Sequence, residues 1–172
     1  MPDIHVRGLR ASSSRGIISV GQTSLAAALG RSGRRAVKRE GDGATPIGRW
    51  VVRRILYRAD RIARPRTGLP LQAIRPADGW CDAPADPRYN RPVRHPYRAS
   101  AERLWRDDGL YDVIAVLSHN ERPRVRGGGS AIFLHVARPG LLPTEGCIAV
   151  PRADLLRLLG CLRRGSAVIV HT

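Results

Sequence analysis

The pattern of hydrophobic and polar positions along the chain predicts a protein that is mainly β. The segment YDVIAVL (111–117) is almost continuously apolar, which is typical of a strand covered on both faces. The segment SAIFLHV (130–136) alternates instead, so that Ala131, Phe133 and His135 share one face. Shorter apolar runs predict further strands at 3–6, 16–20, 24–30, 49–57 and 166–171.

One segment near the C-terminus has the period of a helix. PRADLLRLLGCLRRG (151–165) begins with a proline that suits a first turn and ends at a glycine. Its apolar stripe consists of Leu155, Leu158, Leu159 and Leu162. ASAERLWRDDG (99–109) predicts a second helix of about two turns, ended by Gly109. The pattern favours a single mainly β domain over 1–172 with mixed sheets and one good C-terminal helix.

The segment from about residue 64 to residue 98 differs from its surroundings because it is crowded with prolines. Such a segment excludes a helix and a central strand. Long connections of this kind within a compact domain are usually functional or disordered. The aromatic residues Trp80, Tyr89 and Tyr97 favour a packed loop, and we expect a lid-like role for it.

The net charge of +16 is large for 172 residues. Lys38 is the only lysine, so the other 29 basic residues are arginines. This skew is explained either by GC-rich coding or by affinity for a polyanion such as nucleic acid, an anionic membrane surface or an acidic wall polymer. The arginines are spread along the whole chain and aromatic residues make up only 5%, so nucleic acid is not the favoured partner.

Neither a membrane span nor a secretory signal is visible in the sequence. No segment approaches the ~20 consecutive apolar residues that a membrane helix needs. The first residues, MPDIHVRGLRASSSRG, contain no apolar stretch of the kind found in signal peptides. The histidines and cysteines show no metal-ligand spacing, so we expect neither a metal nor another cofactor.

Cys147 is the residue with the clearest catalytic potential. Gly146 before it lets the backbone N–H groups of both residues approach a carbonyl, and His135 lies twelve residues upstream at the end of a strand. An imidazole there can deprotonate the thiol if a hairpin-like return brings the two together. The residues alone also fit a buried structural cysteine and a hydrogen-bonded histidine. Cys161 falls in the predicted helix and is expected in the core.

Two ordered segments, GDGATPIGRW (41–50) and SAIFLHVARPGLLPTEGCIAV (130–150), resemble the L,D-transpeptidase catalytic domain, also called the YkuD-like fold. That family has a Thr-Pro-x-Gly turn, then a strand-end His, then a Ser/Thr-His-Gly-Cys signature. The resemblance covers the chain from about residue 15 to its end. It implies a YkuD-like β-sandwich with Cys147 as nucleophile, His135 as general base, and the N–H groups of Gly146 and Cys147 as oxyanion donors.

The resemblance also implies a substrate, the stem peptides of bacterial peptidoglycan. Cys147 would attack the bond after the L-centre of diaminopimelate, and the thioester would pass to an amine of another stem. Transfer to water would make the same site an L,D-carboxypeptidase, and transfer to a free D-amino acid would make it an exchange enzyme. Carbapenem-type β-lactams are possible covalent inhibitors, and the expected location is the cell envelope or periplasm. The alternative of another class is a basic module that binds a polyanion and has an inactive site.

The sequence departs from the family signature at the position before Gly146. Thr144 keeps the Ser/Thr position, whereas Glu145 replaces the family's histidine, and the loop between base and nucleophile is short. We expect Glu145 to point away or to pair with an arginine such as Arg138, since a nearby carboxylate raises a thiol pKa. These departures favour a divergent branch with an unusual crosslink, including one to the L-Ala of a stem. The candidates for substrate binding are Thr144 and Glu145 before the nucleophile, His119 in place of the missing histidine, Asn120 beside it, Trp80 and Tyr89 in the lid, and Arg138 for carboxylates.

Overall fold

The computed structural model describes residues 2–172 and shows a closed, mixed β-barrel. Eight strands follow one another around the barrel in the order β11, β12, β13, β3, β2, β1, β14 and β6, and β6 pairs back with β11. The barrel strands are β1 (Ile4–Gly8), β2 (Arg15–Val20), β3 (Thr23–Ala28), β6 (Gly48–Tyr57), β11 (Val113–Leu117), β12 (Phe133–Val136), β13 (Ile148–Val150) and β14 (Ala167–Val170). The mainly β class with mixed sheets and one C-terminal helix is confirmed, and the sheet closes into a barrel where a sandwich was expected.

The barrel strands are held in register by both parallel and antiparallel pairing. β12 and β13 run parallel, with His135 opposite Ala149, whereas β11 and β12 run antiparallel, with Ile114 opposite His135. Inside, the apolar side chains of the barrel form one core together with leucines of the helix α1 (Arg152–Cys161). Leu155, Leu158 and Leu159 are buried as the stripe predicts.

The proline-rich segment contains short strands and is not a structureless loop. β7 (Leu71–Ala73) extends the barrel sheet beside β6, and β8 (Asp78–Cys81), β9 (Pro92–Arg94) and β10 (Ala101–Arg103) form a separate small sheet. The remaining short strands, β4 (Arg34–Arg35) and β5 (Thr45–Pro46), pair with each other. The expectation that this segment holds no central strand is wrong, because the four proline-free residues of β8 lie between β10 and β9.

The small sheet covers the outer face of the barrel and creates a second core. Trp80 and Leu104 pack there against Phe133 of β12 and Val116 of β11. The ring of Phe133 meets Trp80 edge-on, with the ring centroids 5.2 Å apart. Cys147 belongs to this second core, so the small sheet forms part of the surroundings of the thiol.

Two expectations about helices are wrong. Residues 99–109 form β10 and turns, because Glu102 pairs with Trp80 across the small sheet and Leu104 is drawn into the second core. Helix α1 ends at Cys161, three residues earlier than Arg164, since Leu162 adopts an extended conformation. Cys161 is exposed and does not lie in the core. Within residues 2–172, no helix combines the length and hydrophobicity that crossing a membrane requires.

Candidate active site

Cys147 lies just before β13, where its thiol is almost enclosed by the segment that leads into β12. Its Sγ donates to the carbonyl oxygen of Ala131 at 3.2 Å, and the backbone N–H of Phe133 points to the sulfur at 3.4 Å. Ala131 has a φ of +51°, a left-handed conformation that a residue with a Cβ seldom adopts. Such backbone strain is concentrated at functional sites in proteins. The resting thiol is therefore a buried S–H group held against a carbonyl.

The loop before Cys147 is fixed by two threonines. The Thr144 hydroxyl donates to the carbonyl oxygen of Cys147 at 2.6 Å and accepts from the Gly146 N–H at 3.2 Å. Thr45 also donates to the Cys147 carbonyl oxygen, at 3.4 Å. Gly146 has a φ of +134°, and a Cβ there would come within 2.9 Å of the Ala44 carbonyl oxygen. The two segments that resemble the transpeptidase family thus meet in space at Cys147.

His135 stands on β12, the strand parallel to the one that follows Cys147. Its register partner is Ala149, two residues beyond the cysteine, so the side chains of His135 and Cys147 emerge on the same side of neighbouring strands. Both residues line one cavity of about 410 Å³. His135 Nδ1 donates to the Val136 carbonyl oxygen at 2.9 Å, and this bond fixes the ring and leaves Nε2 as the basic nitrogen of the neutral imidazole.

Burial keeps both groups of this pair neutral at rest. It raises the pKa of the Cys147 thiol to about 12, and the negative charge of Glu102 acts in the same direction. Burial also lowers the pKa of His135 to about 4, against the opposing effect of its bond to Val136. The pair in the free protein is therefore a thiol and an imidazole, and not the thiolate–imidazolium pair that some cysteine enzymes keep.

The sequence did not reveal several residues that line the same cavity. Tyr111 packs edge-on against His135, with the ring centroids 5.2 Å apart, and its hydroxyl donates to Glu102 at 2.5 Å. Arg106 and Ser130 complete this part of the wall. Glu102 and Arg106 lay in a segment predicted as a helix, and no local pattern marked them.

Lys38 is a second group that the composition could have indicated, as the only lysine in an arginine-rich chain. Its side chain is 4% exposed, and its ammonium binds Asp42 at 2.5 Å and the Arg39 carbonyl oxygen at 2.7 Å. The carboxylate of Asp42 also accepts from the backbone N–H of Ala44, next to the Thr45 that holds Cys147. Lys38 thus stabilises the turn that contacts the loop before Cys147.

Three of the predicted substrate residues lie at the cavity that His135 and Cys147 line. Arg138, Thr144 and Glu145 all line it. Glu145 is paired, but its partner is Arg31, at 2.9 Å, and not Arg138. Its side chain is 81% exposed, so its charge is largely solvated. The carboxylate that replaces the family's histidine therefore extends to the surface.

The other four predicted substrate residues do not line this cavity. His119 and Trp80 line a different cavity of about 500 Å³, Tyr89 is 1% exposed, and Asn120 ties its own loop together through bonds to Val125. β11 and β12 are neighbours as expected, but the imidazole of His119 bonds to the Gly128 carbonyl oxygen at 2.9 Å.

Asn90 connects the small sheet to the segment next to the thiol. Its Oδ1 accepts from the Trp80 indole N–H at 2.9 Å and from the Ala131 N–H at 3.1 Å, and its Nδ2 donates to the carbonyl oxygens of His119 and Asn120. The segment over residues 80–100, which we call the covering segment, is therefore hydrogen-bonded to the barrel at Asn90. Throughout residues 2–172, no three acidic, histidine or cysteine side chains converge in a way that would hold a metal ion.

Comparison with known proteins gives one family and a set of distant structures. The model of the L,D-transpeptidase catalytic domain, YkuD, matches residues 8–170. No curated protein matches the chain. Similar solved structures include L,D-transpeptidase 3 from Mycobacterium tuberculosis in complex with a faropenem-derived adduct, with 15% identity, a TM-score of 0.44, and coverage of 99% of this chain and 61% of that one.

An L,D-transpeptidase from Mycobacterium smegmatis has 13% identity and a TM-score of 0.42, with 99% and 59% of the two chains covered. Another from Mycobacterium tuberculosis H37Rv has 14% identity and a TM-score of 0.44, with 99% and 58% covered. The chain thus spans about three-fifths of the length of the solved structures it matches.

Proposed function

Because the chain belongs to the L,D-transpeptidase catalytic domain family, we propose that it is a peptidoglycan L,D-transpeptidase with Cys147 as its nucleophile. The observation that carries the proposal is that Cys147 and His135 line one cavity on neighbouring parallel strands. The bond from Nδ1 to the Val136 carbonyl oxygen supports the tautomer in which Nε2 accepts a proton.

The proposed reaction has two steps at the same sulfur. In the first, the thiol proton passes to His135 as Sγ bonds to the carbonyl carbon after the L-centre of a stem diaminopimelate. The C–N bond then breaks, and the terminal D-residue leaves as an amine that takes the proton back. In the second step, an amine of another stem attacks the thioester, the C–S bond breaks, and the thiol is restored.

The burial of the thiol supports a mechanism in which substrate triggers the proton transfer. With a thiol pKa of about 12 and a His135 pKa of about 4, the ion pair is unfavourable before substrate arrives. Attack becomes favourable only when the oxyanion that forms is stabilised by backbone donors. The N–H of Cys147 is one donor, and that of Gly146 becomes the second by leaving its bond to the Thr144 hydroxyl at 3.2 Å.

The crosslink that the enzyme forms is of an unusual type, with the L-Ala of a neighbouring stem as one candidate acceptor. The support for it is the exposed Glu145 at the position of the signature histidine, together with the short loop before it. We place the protein in the cell envelope, where its substrate lies.

Purified muropeptides test the proposal. The protein should form crosslinked dimers and release D-alanine, whereas Cys147→Ala should form none while keeping its circular dichroism spectrum. Product masses separate a crosslinked dimer from the shortened stem of a carboxypeptidase and from an exchanged D-amino acid. If Cys147→Ala retained full activity, the proposal would be refuted. Salt-sensitive binding to a polyanion without any turnover would favour the binding-module alternative.

A further inference from the structure

One wall of the catalytic cavity is acidic although the protein as a whole is strongly basic. We call Glu40, Asp82 and Glu102, which all line this cavity, the acidic wall. Glu102 lies opposite Trp80 in the pairing of β10 with β8, and Asp82 is two residues beyond Trp80. Side chains at such positions emerge on the same face of a sheet. Glu102 and Asp82 therefore both point from the small sheet toward the barrel face that carries Cys147.

The oxygens of the acidic wall are only partly bonded. Tyr111 donates to one oxygen of Glu102, and Tyr89 donates to one oxygen of Glu40. The second oxygen of Glu102 accepts no hydrogen bond within residues 2–172, and Oδ1 of Asp82 is buried with no partner there. A buried carboxylate oxygen without a donor, such as Oδ1 of Asp82, is costly because its hydration has been lost. Burial also raises the pKa of Glu102, and the charges of Asp82 and Glu40 act in the same direction.

Two well-buried carboxylates elsewhere in the chain are paired with cations. Asp42 binds the ammonium of Lys38 at 2.5 Å. Asp112 binds Arg61 at 3.2 Å and has Arg152 at 3.6 Å. By contrast, the nearest cation to Glu102 is Arg106, at 3.9 Å, and Arg106 is engaged with Asp108 at 2.5 Å. Glu102, with its side chain 28% exposed, thus faces the cavity without a close cation, unlike Asp42 and Asp112.

Ser130, on the segment that leads into β12, offers an independent sign of a missing ligand. Ser130 lines the cavity and is 8% exposed, and its hydroxyl oxygen has no hydrogen-bond partner in the described chain. A hydroxyl oxygen accepts from N–H donors as a carboxylate does. The acidic residues do not converge as metal ligands would, so the cation that fits is a larger organic one with several N–H donors.

We propose that the acidic wall is a subsite for a primary ammonium group of the stem peptide, bound by Glu102 and Asp82. This proposal rests on the proposed function and adds to it the group that is recognised. A stem peptide carries two such groups, the N-terminal amine of L-Ala and the side-chain amine of diaminopimelate. Binding either one supplies the donors that the carboxylates lack. It also offsets the charge of Glu102, which contributes to the high pKa of the Cys147 thiol.

Equilibrium binding to the Cys147→Ala protein tests the subsite without any chemistry. The probes are the tetrapeptide L-Ala-γ-D-Glu-diaminopimelate-D-Ala, the same peptide acetylated at its N-terminus, and the same peptide acetylated at its side-chain amine. Titration calorimetry should show that one acetylation weakens binding by about ten- to a hundredfold, as expected for a charge-assisted hydrogen bond. The position of the sensitive acetylation identifies the amine that is bound.

Variants of the wall then show whether these carboxylates are responsible. In the Cys147→Ala background, Glu102→Gln and, separately, Asp82→Asn should reduce the difference between the free and the acetylated peptide to less than about threefold. Glu121→Gln, which removes the same charge at a residue paired with Arg53 and lining the other cavity, should keep the full difference. If one variant misfolds, the other still tests the subsite, and circular dichroism shows whether each variant is folded.

Two outcomes would overturn the subsite. In the first, all three peptides bind equally; in the second, the preference for the free amine survives in both wall variants. Neither outcome contradicts the proposed function, because the proposed function is tested separately by muropeptide turnover with the protein in which Cys147 is intact. If no peptide binds and Cys147 supports no turnover, the subsite and the proposed function both fail.

Discussion

Replacing Lys38 by methionine tests whether a buried ion pair holds the turn beneath the nucleophile. Methionine has a similar length, so the substitution removes the ammonium while keeping much of the side-chain volume. Asp42 would remain with its side chain 9% exposed and with only backbone donors from Arg39 and Ala44. Removing one partner of a buried pair costs about 3–5 kcal/mol because the other charge stays buried and uncompensated.

The remaining donors of Asp42 place the expected cost at the lower end of that range, about 3 kcal/mol. With a urea m-value of about 2 kcal/mol per molar, typical of small domains, the unfolding midpoint should fall by about 1.5 M. Acylation of Cys147 should also slow, since Thr45 lies next to this turn and bonds to the Cys147 carbonyl oxygen.

The matched control is Arg31→Met, which breaks the pair of Arg31 with Glu145. Those side chains are 52% and 81% exposed, so the cost should be no more than about 1 kcal/mol. Urea unfolding followed by circular dichroism measures both variants, and an unchanged m-value keeps the comparison valid. If Lys38→Met costs no more than Arg31→Met, the inference that the turn depends on this ion pair is wrong.

Three further predictions concern the thiol, its loop and the covering segment. Burial raises the pKa of the Cys147 thiol to about 12, so its alkylation by iodoacetamide should accelerate about tenfold per pH unit between pH 7 and pH 9. Peptide mapping follows the reaction at Cys147, and a rate that levels off in that range would show that the thiol pKa is not raised. Gly146→Ala should destabilise the protein by about 1–3 kcal/mol, because a Cβ would meet the Ala44 carbonyl oxygen at 2.9 Å. Gly160→Ala, where a Cβ on α1 would meet open space, should not destabilise it, and equal urea midpoints for the two variants would argue against the close approach. Asn90→Ala removes four hydrogen bonds and should cost at least about 2 kcal/mol, with faster proteolysis of the 80–100 segment; unchanged cleavage would show that Asn90 does not fasten it.

The strands could be predicted because their signal is local. Alternation in the segment before His135 and the apolar run of β11 are visible within a few residues. The closure of the barrel is not, because it depends on β6 pairing with β11, which lies more than fifty residues further along the chain. The helix expected over 99–109 failed for a similar reason: the partners of Glu102 and Leu104 are tertiary, and they override a weak local preference.

The candidate site divides in the same way. Cys147, Gly146 and His135 lie within thirteen residues and could be named from one segment and its resemblance to a family. Glu102 and Tyr111 line the cavity from a different part of the chain, and no sequence motif near them indicates a functional site. The burial of Trp80 and Tyr89 was also beyond local reasoning, since an aromatic residue in a proline-rich segment suits a packed loop and a substrate-covering lid equally well.

Intact-mass spectrometry after incubation with a carbapenem tests whether Cys147 is an acylated nucleophile served by His135. We expect one covalent adduct, mapped to the peptide that contains Cys147, and no adduct on Cys147→Ser within the same time. His135→Ala should form the adduct at least about a hundredfold more slowly, the loss expected when a general base is removed. An adduct on Cys81 or Cys161 in place of Cys147, or none on a correctly folded protein, would contradict the account.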